Sequence, residues 1–227
     1  MKLLAIETAS DACSCALLTD ESCFERFSVA PRQHAELVLP MVTALLDEAG
    51  LGLADLDALA FGRGPGSFTG VRVAAGVIQG LAYGADLPVV PVSSLQALAQ
   101  GAYRESGSAR VLAAFDARMG EVYWGVYEEN GSGLMTARVD DLVTAPDAVP
   151  LPSGGGWLGV GEGWGAYACV LAERIGERLA GTEPDRLARA LDVAALASAA
   201  HARGESVTAA RALPVYVRNK VARKRGE

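Results

Sequence analysis

The segment of this chain most able to do chemistry is Gly64-Pro65-Gly66-Ser67-Phe68-Thr69-Gly70. Glycines let backbone N–H groups close on an anion, and a helix starting there would add a favourable dipole. This is the form of a phosphate cradle, with Gly64, Gly66, Ser67 and Thr69 as its anion- or nucleotide-facing residues. A nucleoside-triphosphatase loop needs Lys after its last glycine, whereas Val71-Arg72 follows here. Lysine stands only at positions 2, 220 and 224, so the body of the chain has none to offer a phosphate or a Schiff base. Ser67 is no nucleophile elbow either, because Pro65 and Thr69 occupy the places where that turn requires glycine. The plainer role for the segment is a tight turn in which Ser67 or Thr69 caps the next helix.

The other reactive side chains are few. The two histidines are His34 and His201, and Val38 stands one turn after His34, so the i, i+4 pair that would bind a metal is missing. His34 therefore reads as a capping or surface residue. Cys13 and Cys15 lie two apart, on one face of a strand, and with no second pair they read as reduced, buried or half-buried thiols. The residues supply neither a catalytic nor a metal-binding set.

The elements that must position these residues follow from periodicity. Leu3–Glu7, Cys13–Leu18 and Cys23–Val29 are short apolar or alternating runs, giving a three-stranded antiparallel meander. A helix spans 33–49 and stops at Gly50. A strand at 56–62 runs into the 64–70 loop and a helix to about Gly84, followed by a strand at 87–92 and a Ser93-capped helix through Tyr103. Beyond the polar 104–108, strands at 110–115, 121–127 and 157–160 and helices at 164–179 and 187–203 repeat that order loosely. Two similar layered α/β subdomains are expected, 1–104 and 105–227.

Composition sets the outer limits. A chain of 227 residues that is 51% hydrophobic and 21% charged folds rather than staying disordered. No run approaches the roughly 20 apolar residues of a membrane span, and Glu7 comes too early for a signal peptide, so a cytoplasmic protein is expected. Net charge is −7; the last ten residues carry five basic side chains against Glu227, which leaves −11 on the first 217. Such a body is a poor nucleic-acid surface by itself.

Two helices carry more apolar surface than one core can use. In the helix at 33–49 the apolar residues cover an arc of roughly 220°, against about 100° for an ordinary surface helix. In the next helix, Gly76, Gly80 and Gly84 recur every four residues beside Val73 and Val77. Each interior glycine costs about 0.5–1 kcal/mol relative to Ala, so the stripe points to close helix–helix contact. A partner interface is expected on Leu37, Met41, Leu45, Val73, Gly76, Val77, Gly80 and Gly84.

Taken in order, Leu4-Ala5-Ile6-Glu7-Thr8-Ala9-Ser10, His34-Ala35-Glu36-Leu37-Val38-Leu39-Pro40, Gly64 through Arg72 and, less closely, Leu213-Pro214-Val215-Tyr216-Val217-Arg218 resemble the TsaB (YeaZ-type) family. That family is a bacterial subunit of the machinery that makes threonylcarbamoyladenosine on tRNA, and it usually carries Asp where Glu7 stands. The resemblance implies a duplicated actin-like α/β fold related to the catalytic TsaD subunit. TsaD-like proteins have a metal-binding His pair one helical turn apart, and here only His34 stands in that region. The implied role is a non-catalytic scaffold that pairs with a TsaD-like catalytic subunit through a helical bundle and self-associates through the same surface. A TsaE-like ATPase would join, with tRNA touched only within the complex. The subunit itself would need no cofactor, and any ATP or ADP contact would arise inside the complex. Two other readings stay open: an actin-fold kinase or ATPase using Glu7, Ser10 and the 64–70 loop, and a hydrolase with Ser67 or Cys13 as nucleophile. Nucleotide turnover by the isolated chain would mark the first, and labelling by an acylating reagent the second.

Overall fold

Alternation along the first strand, β1 (Leu3–Glu7), decides the layering. Successive side chains point to opposite faces, so Leu3 and Ala5 enter one core while Leu4 and Ile6 enter another. A computed structural model describes residues 1–218; Asn219 to Glu227, with four of the five basic residues of the C-terminal end, lie outside the described residues. β1 pairs antiparallel with β2 (Ala12–Leu18), which pairs antiparallel with β3 (Cys23–Val29). On its other side β1 runs parallel to β4 (Ala58–Gly62), which runs parallel to β5 (Val89–Val92). The five-stranded order is β3-β2-β1-β4-β5.

The second sheet repeats that scheme. β6 (Arg110–Arg118) pairs antiparallel with β7 (Glu121–Glu129) and parallel with β10 (Trp157–Val160). β7 pairs with β8 (Met135–Ala137) and β9 (Leu142–Thr144), and β10 with β11 (Leu179–Glu183). The order β11-β10-β6-β7-β8 is the first sheet's order over again, so the fold is a duplicated, actin-like α/β arrangement.

Helices α1 (His34–Ala49) and α2 (Phe68–Ala85) cover the outer face of the first sheet, over Leu4, Ile6, Leu59 and Phe61. Two further helices, α3 (Ser94–Ser106) and α6 (Ala190–Ala202), fill the space between the sheets. They are exchanged: α3 packs on β6, β7 and β8, whereas α6 returns to β1, β2, β4 and β5. Small side chains make room for this, since Ala5, Ala16, Ala58 and Ala60 face α6. A bidentate pair ties the helices together, Arg104 Nε and Nη2 donating to Asp192 at 2.9 and 3.1 Å. Gly101 admits that carboxylate, because a Cβ there would lie 2.8 Å from Asp192 Oδ2. The expected boundary at 104/105 thus falls within the last turn of α3, and neither half keeps its own third helix.

The expected helix at 164–179 is corrected. Its stretch holds two short helices, α4 (Glu162–Ala166) and α5 (Ala168–Ile175), and then β11. Gly163 and Gly165 weaken the helix, and Gly176 at φ 60° ends it. Trp124, Trp157 and Trp164 fill the outer core of this half; Trp124 and Trp164 stack with ring centres 5.7 Å apart.

Candidate partner-docking face and the cleft between the sheets

The 64–70 loop is held by the end of β1. Glu7 is wholly buried; its carboxylate accepts from Ala9 N–H at 2.6 Å and from Ser94 Oγ at 2.8 Å, and Ser94 Oγ accepts from Gly64 N–H at 3.3 Å. Burial pushes the Glu7 carboxyl above the usual range, against the pull of these bonds. Ser67 N–H donates to Ala9 O at 2.7 Å, and Thr8 Oγ1 donates to Gly70 O at 2.8 Å. The glycines serve this close approach: a Cβ on Gly66 would sit 2.5 Å from Ala9 O, and one on Gly70 1.9 Å from Thr8 O. Ser67 is the N-cap of α2, accepting from Gly70 N–H, while Thr69 is exposed in the first turn. Much of the loop's polar capacity is therefore spent within the chain.

Beside the loop lies a cleft of ≈ 800 Å³ between the sheets. The β1–β2 turn brings Ser10 and Asp11, the end of β6 brings Asp116 and Arg118, and Glu162 enters from α4. Burial, then the Asp11 charge, raises the Glu162 carboxyl. Arg118 pairs with Asp116 at 2.9 Å. Asp11, Asp116 and Glu162 went unread in the sequence because they come from three distant segments that share no motif. Glu7 and Cys13, named in the rival readings, are both fully buried and not among the residues lining this cleft. Among the described residues no group of three or more His, Cys, Asp or Glu side chains could hold a metal.

His34 is corrected from capping or surface residue to buried. It is 8% exposed, on the α1 row with Val38, Val42 and Leu45 that faces the core, and its Nε2 has no partner.

The expected interface residues divide. Gly76, Gly80 and Gly84 are exposed, and a Cβ on any of them would meet nothing within 4 Å. Among the described residues nothing packs on them. Val73, Val77, Leu37 and Met41 are half-buried at the edges of the core. Leu45 is corrected: it is wholly buried under the helices and can line no outer surface. The apolar arc of α1 was too wide for periodicity alone to say which stripe met the sheet. Leu39 and Tyr83, 49% and 87% exposed, flank the open face instead. Phe68, Arg72, Gly76, Gly80 and Gly84 form one exposed i, i+4 row along α2. Where such a ridge lacks side chains it becomes a groove, ready for a ridge of another helix.

The family model described as "TsaD: tRNA N6-adenosine threonylcarbamoyltransferase" matches residues 28–157. The "tRNA threonylcarbamoyladenosine biosynthesis protein TsaB" of Escherichia coli is 44% identical over 233 residues, covering 99% of this chain and 98% of that protein. The chain belongs to the TsaB family. The Haemophilus influenzae TsaB is 40% identical and covers 99% of this chain and 97% of its own length. In three dimensions this TsaB-family chain is similar to "YeaZ from Pseudomonas aeruginosa", with a TM-score of 0.88 and 49% identity, covering 95% of this chain and 99% of that one.

Proposed function

We propose that this chain is a non-catalytic subunit in tRNA threonylcarbamoyladenosine biosynthesis, which docks a TsaD-like catalytic paralogue on the outer face of α1 and α2. The observation that carries the reading is the glycine row of α2, exposed and without a neighbour among the described residues. Three glycines inside one helix cost about 0.5–1 kcal/mol each relative to Ala. Nothing in the single chain repays this, whereas a partner helix lying close against the groove would. The reading is supported by kinship on both sides: the named relatives are TsaB proteins, and the matching family model is TsaD's.

The docking residues are Leu37, Met41, Val73, Gly76, Val77, Gly80 and Gly84, with Leu39 and Tyr83 at the margin. The same face serves a homodimer when the paralogue is absent, so the two pairings compete. A TsaE-like ATPase joins the assembly in the cytoplasm, tRNA is met only there, and the subunit itself needs no cofactor. Val77→Glu places an unpaired charge in the contact, which costs several kcal/mol to desolvate. In a reconstituted threonylcarbamoyl transfer reaction, adding the wild-type chain to a TsaD-like subunit should restore tRNA modification, and Val77→Glu should not. Full support by a folded Val77→Glu protein would overturn the proposal.

A further inference from the structure

The segment Leu213-Pro214-Val215-Tyr216-Val217-Arg218 has no part in the docking face described above. Ala212, fully buried beside α2, anchors its start. Val215 N–H then donates to Arg63 O at 2.8 Å, placing the chain along the loop of the first half. Tyr216 rests against Phe68 with ring centres 6.2 Å apart. The Arg72 guanidinium stands 3.2 Å from the centre of the Phe68 ring and 4.7 Å from that of Tyr216, a cation–π arrangement with both.

Two residues later the chain has crossed to the second half. Arg218 Nη2 donates to Ala117 O at 3.0 Å, to Arg118 O at 3.4 Å and to the Glu121 carboxylate, all around the β6–β7 turn. Its side chain is only 17% exposed. All three acceptors converge on Nη2, at the tip of the side chain, and such charge-assisted bonds are stronger than neutral ones. Val215, Tyr216 and Arg218 also line the cleft, so the segment runs along its mouth.

We propose that residues 213–218 are a clasp that holds the two halves of the molecule at one spacing across the cleft. Arg218 is its catch on the β6–β7 turn, and Tyr216 with Phe68 and Arg72 is its seat on the first half. The buried α3–α6 layer joins the sheets between them; the clasp joins them at the cleft, where polar turns face each other.

The chain carries its own probes for the test. Cys23 on β3 and Cys169 on α5 are exposed and lie one in each half, while Cys13 and Cys15 are buried. Spin labels on Cys23 and Cys169 of the full chain should give one narrow distance distribution by double electron–electron resonance. Arg218→Ala and Glu121→Gln should broaden or displace it. Arg218→Lys, which keeps the charge but ends one bond short of Nη2, should behave like Arg218→Ala. Distributions that coincide with wild type in all three overturn the clasp. As an independent readout, trypsin should cut after Arg218 about fivefold faster in Glu121→Gln, the scale expected when a charge-assisted hydrogen bond becomes a neutral one. An unchanged rate also overturns it. The Gln variant keeps the shape of Glu121, so the test does not depend on a variant that fails to fold, and neither readout involves a partner.

Discussion

The two halves share one strand order but close their outer faces differently. In the second half Trp124, Trp157 and Trp164 fill the space outside the sheet, so short α4 and α5 suffice as cover. Trp164 lies so near β10 that a Cβ on Gly159 would fall 2.4 Å from its ring. In the first half two long helices lie over Leu4, Ile6, Leu59 and Phe61, and Gly76, Gly80 and Gly84 leave a gap in the outer surface of α2. One half is finished within the chain; the other ends in a groove. The difference teaches that a repeated topology fixes where strands go, while side-chain volume decides which surface still wants a neighbour. Gly159 in the second half serves internal packing, whereas a Cβ on Gly76, Gly80 or Gly84 of α2 would meet nothing among the described residues.

If that contrast is right, substitutions in the two regions should fail in different ways. The largest loss of stability is expected from Trp124→Ala, because Trp124 is fully buried and no long helix can collapse into the space. Truncating a buried Trp typically costs about 3–5 kcal/mol. Denaturant melts should show it, and a shift below about 1 kcal/mol would mean that this core is not the self-sufficient one.

A gentler substitution sharpens the comparison on the other side. Gly80→Ala meets no neighbour within the chain, so it should stabilise the monomer by about 0.5–1 kcal/mol through helix propensity. That corresponds to a rise of roughly 2–4 °C per kcal/mol at this size, measured at dilutions where the chain is monomeric. The same methyl group should weaken pairing, since overpacking a close contact costs about 1–3 kcal/mol. Stability and association moving in opposite directions is the signature of a groove kept open for another chain. A loss of monomer stability would instead show that the stripe packs internally.

The smallest effect concerns Glu7. Its folded pKa is raised by burial, so the stability it contributes is full below its ordinary range and is lost as pH rises through the folded value. Glu7→Gln keeps an acceptor for Ala9 N–H and carries no charge. The melting temperature of the wild type should therefore fall relative to that of Glu7→Gln as pH rises above the ordinary carboxylate range. Parallel curves would mean that the hydrogen bonds from Ala9 and Ser94 outweigh burial.

Much of this was legible in the chain itself. The apolar run Leu3–Glu7, the polar turn after it and the alternating Cys23–Val29 mark the meander, and Ser67 and Ser93 announce helix starts that the structure keeps. Other elements were hidden for physical reasons. β8 and β9 are three residues each, too short to show a period. β11 lies close behind apolar helix sequence, and only Gly176, Glu177 and Arg178 separate them. The glycine row could be read because its spacing is local. Leu45 could not be assigned, since a helix apolar over most of its circumference does not announce which side meets a sheet. The exchange of α3 and α6 was invisible, because alanine fits a tight seam between sheets as well as an ordinary helix.

The central claim is that the α2 face is open because a second chain covers it, and sedimentation of Gly80→Arg tests it most directly. A specific contact of this kind usually buries about 800 Å² per partner, and an arginine in the groove would hold the helices apart. The wild-type chain should sediment as a dimer alone and as a mixed complex when a TsaD-like partner is added. Gly80→Arg, with an unchanged circular-dichroism spectrum, should sediment as a monomer in both cases. A Gly80→Arg protein that remains dimeric and still takes up the partner would contradict the account.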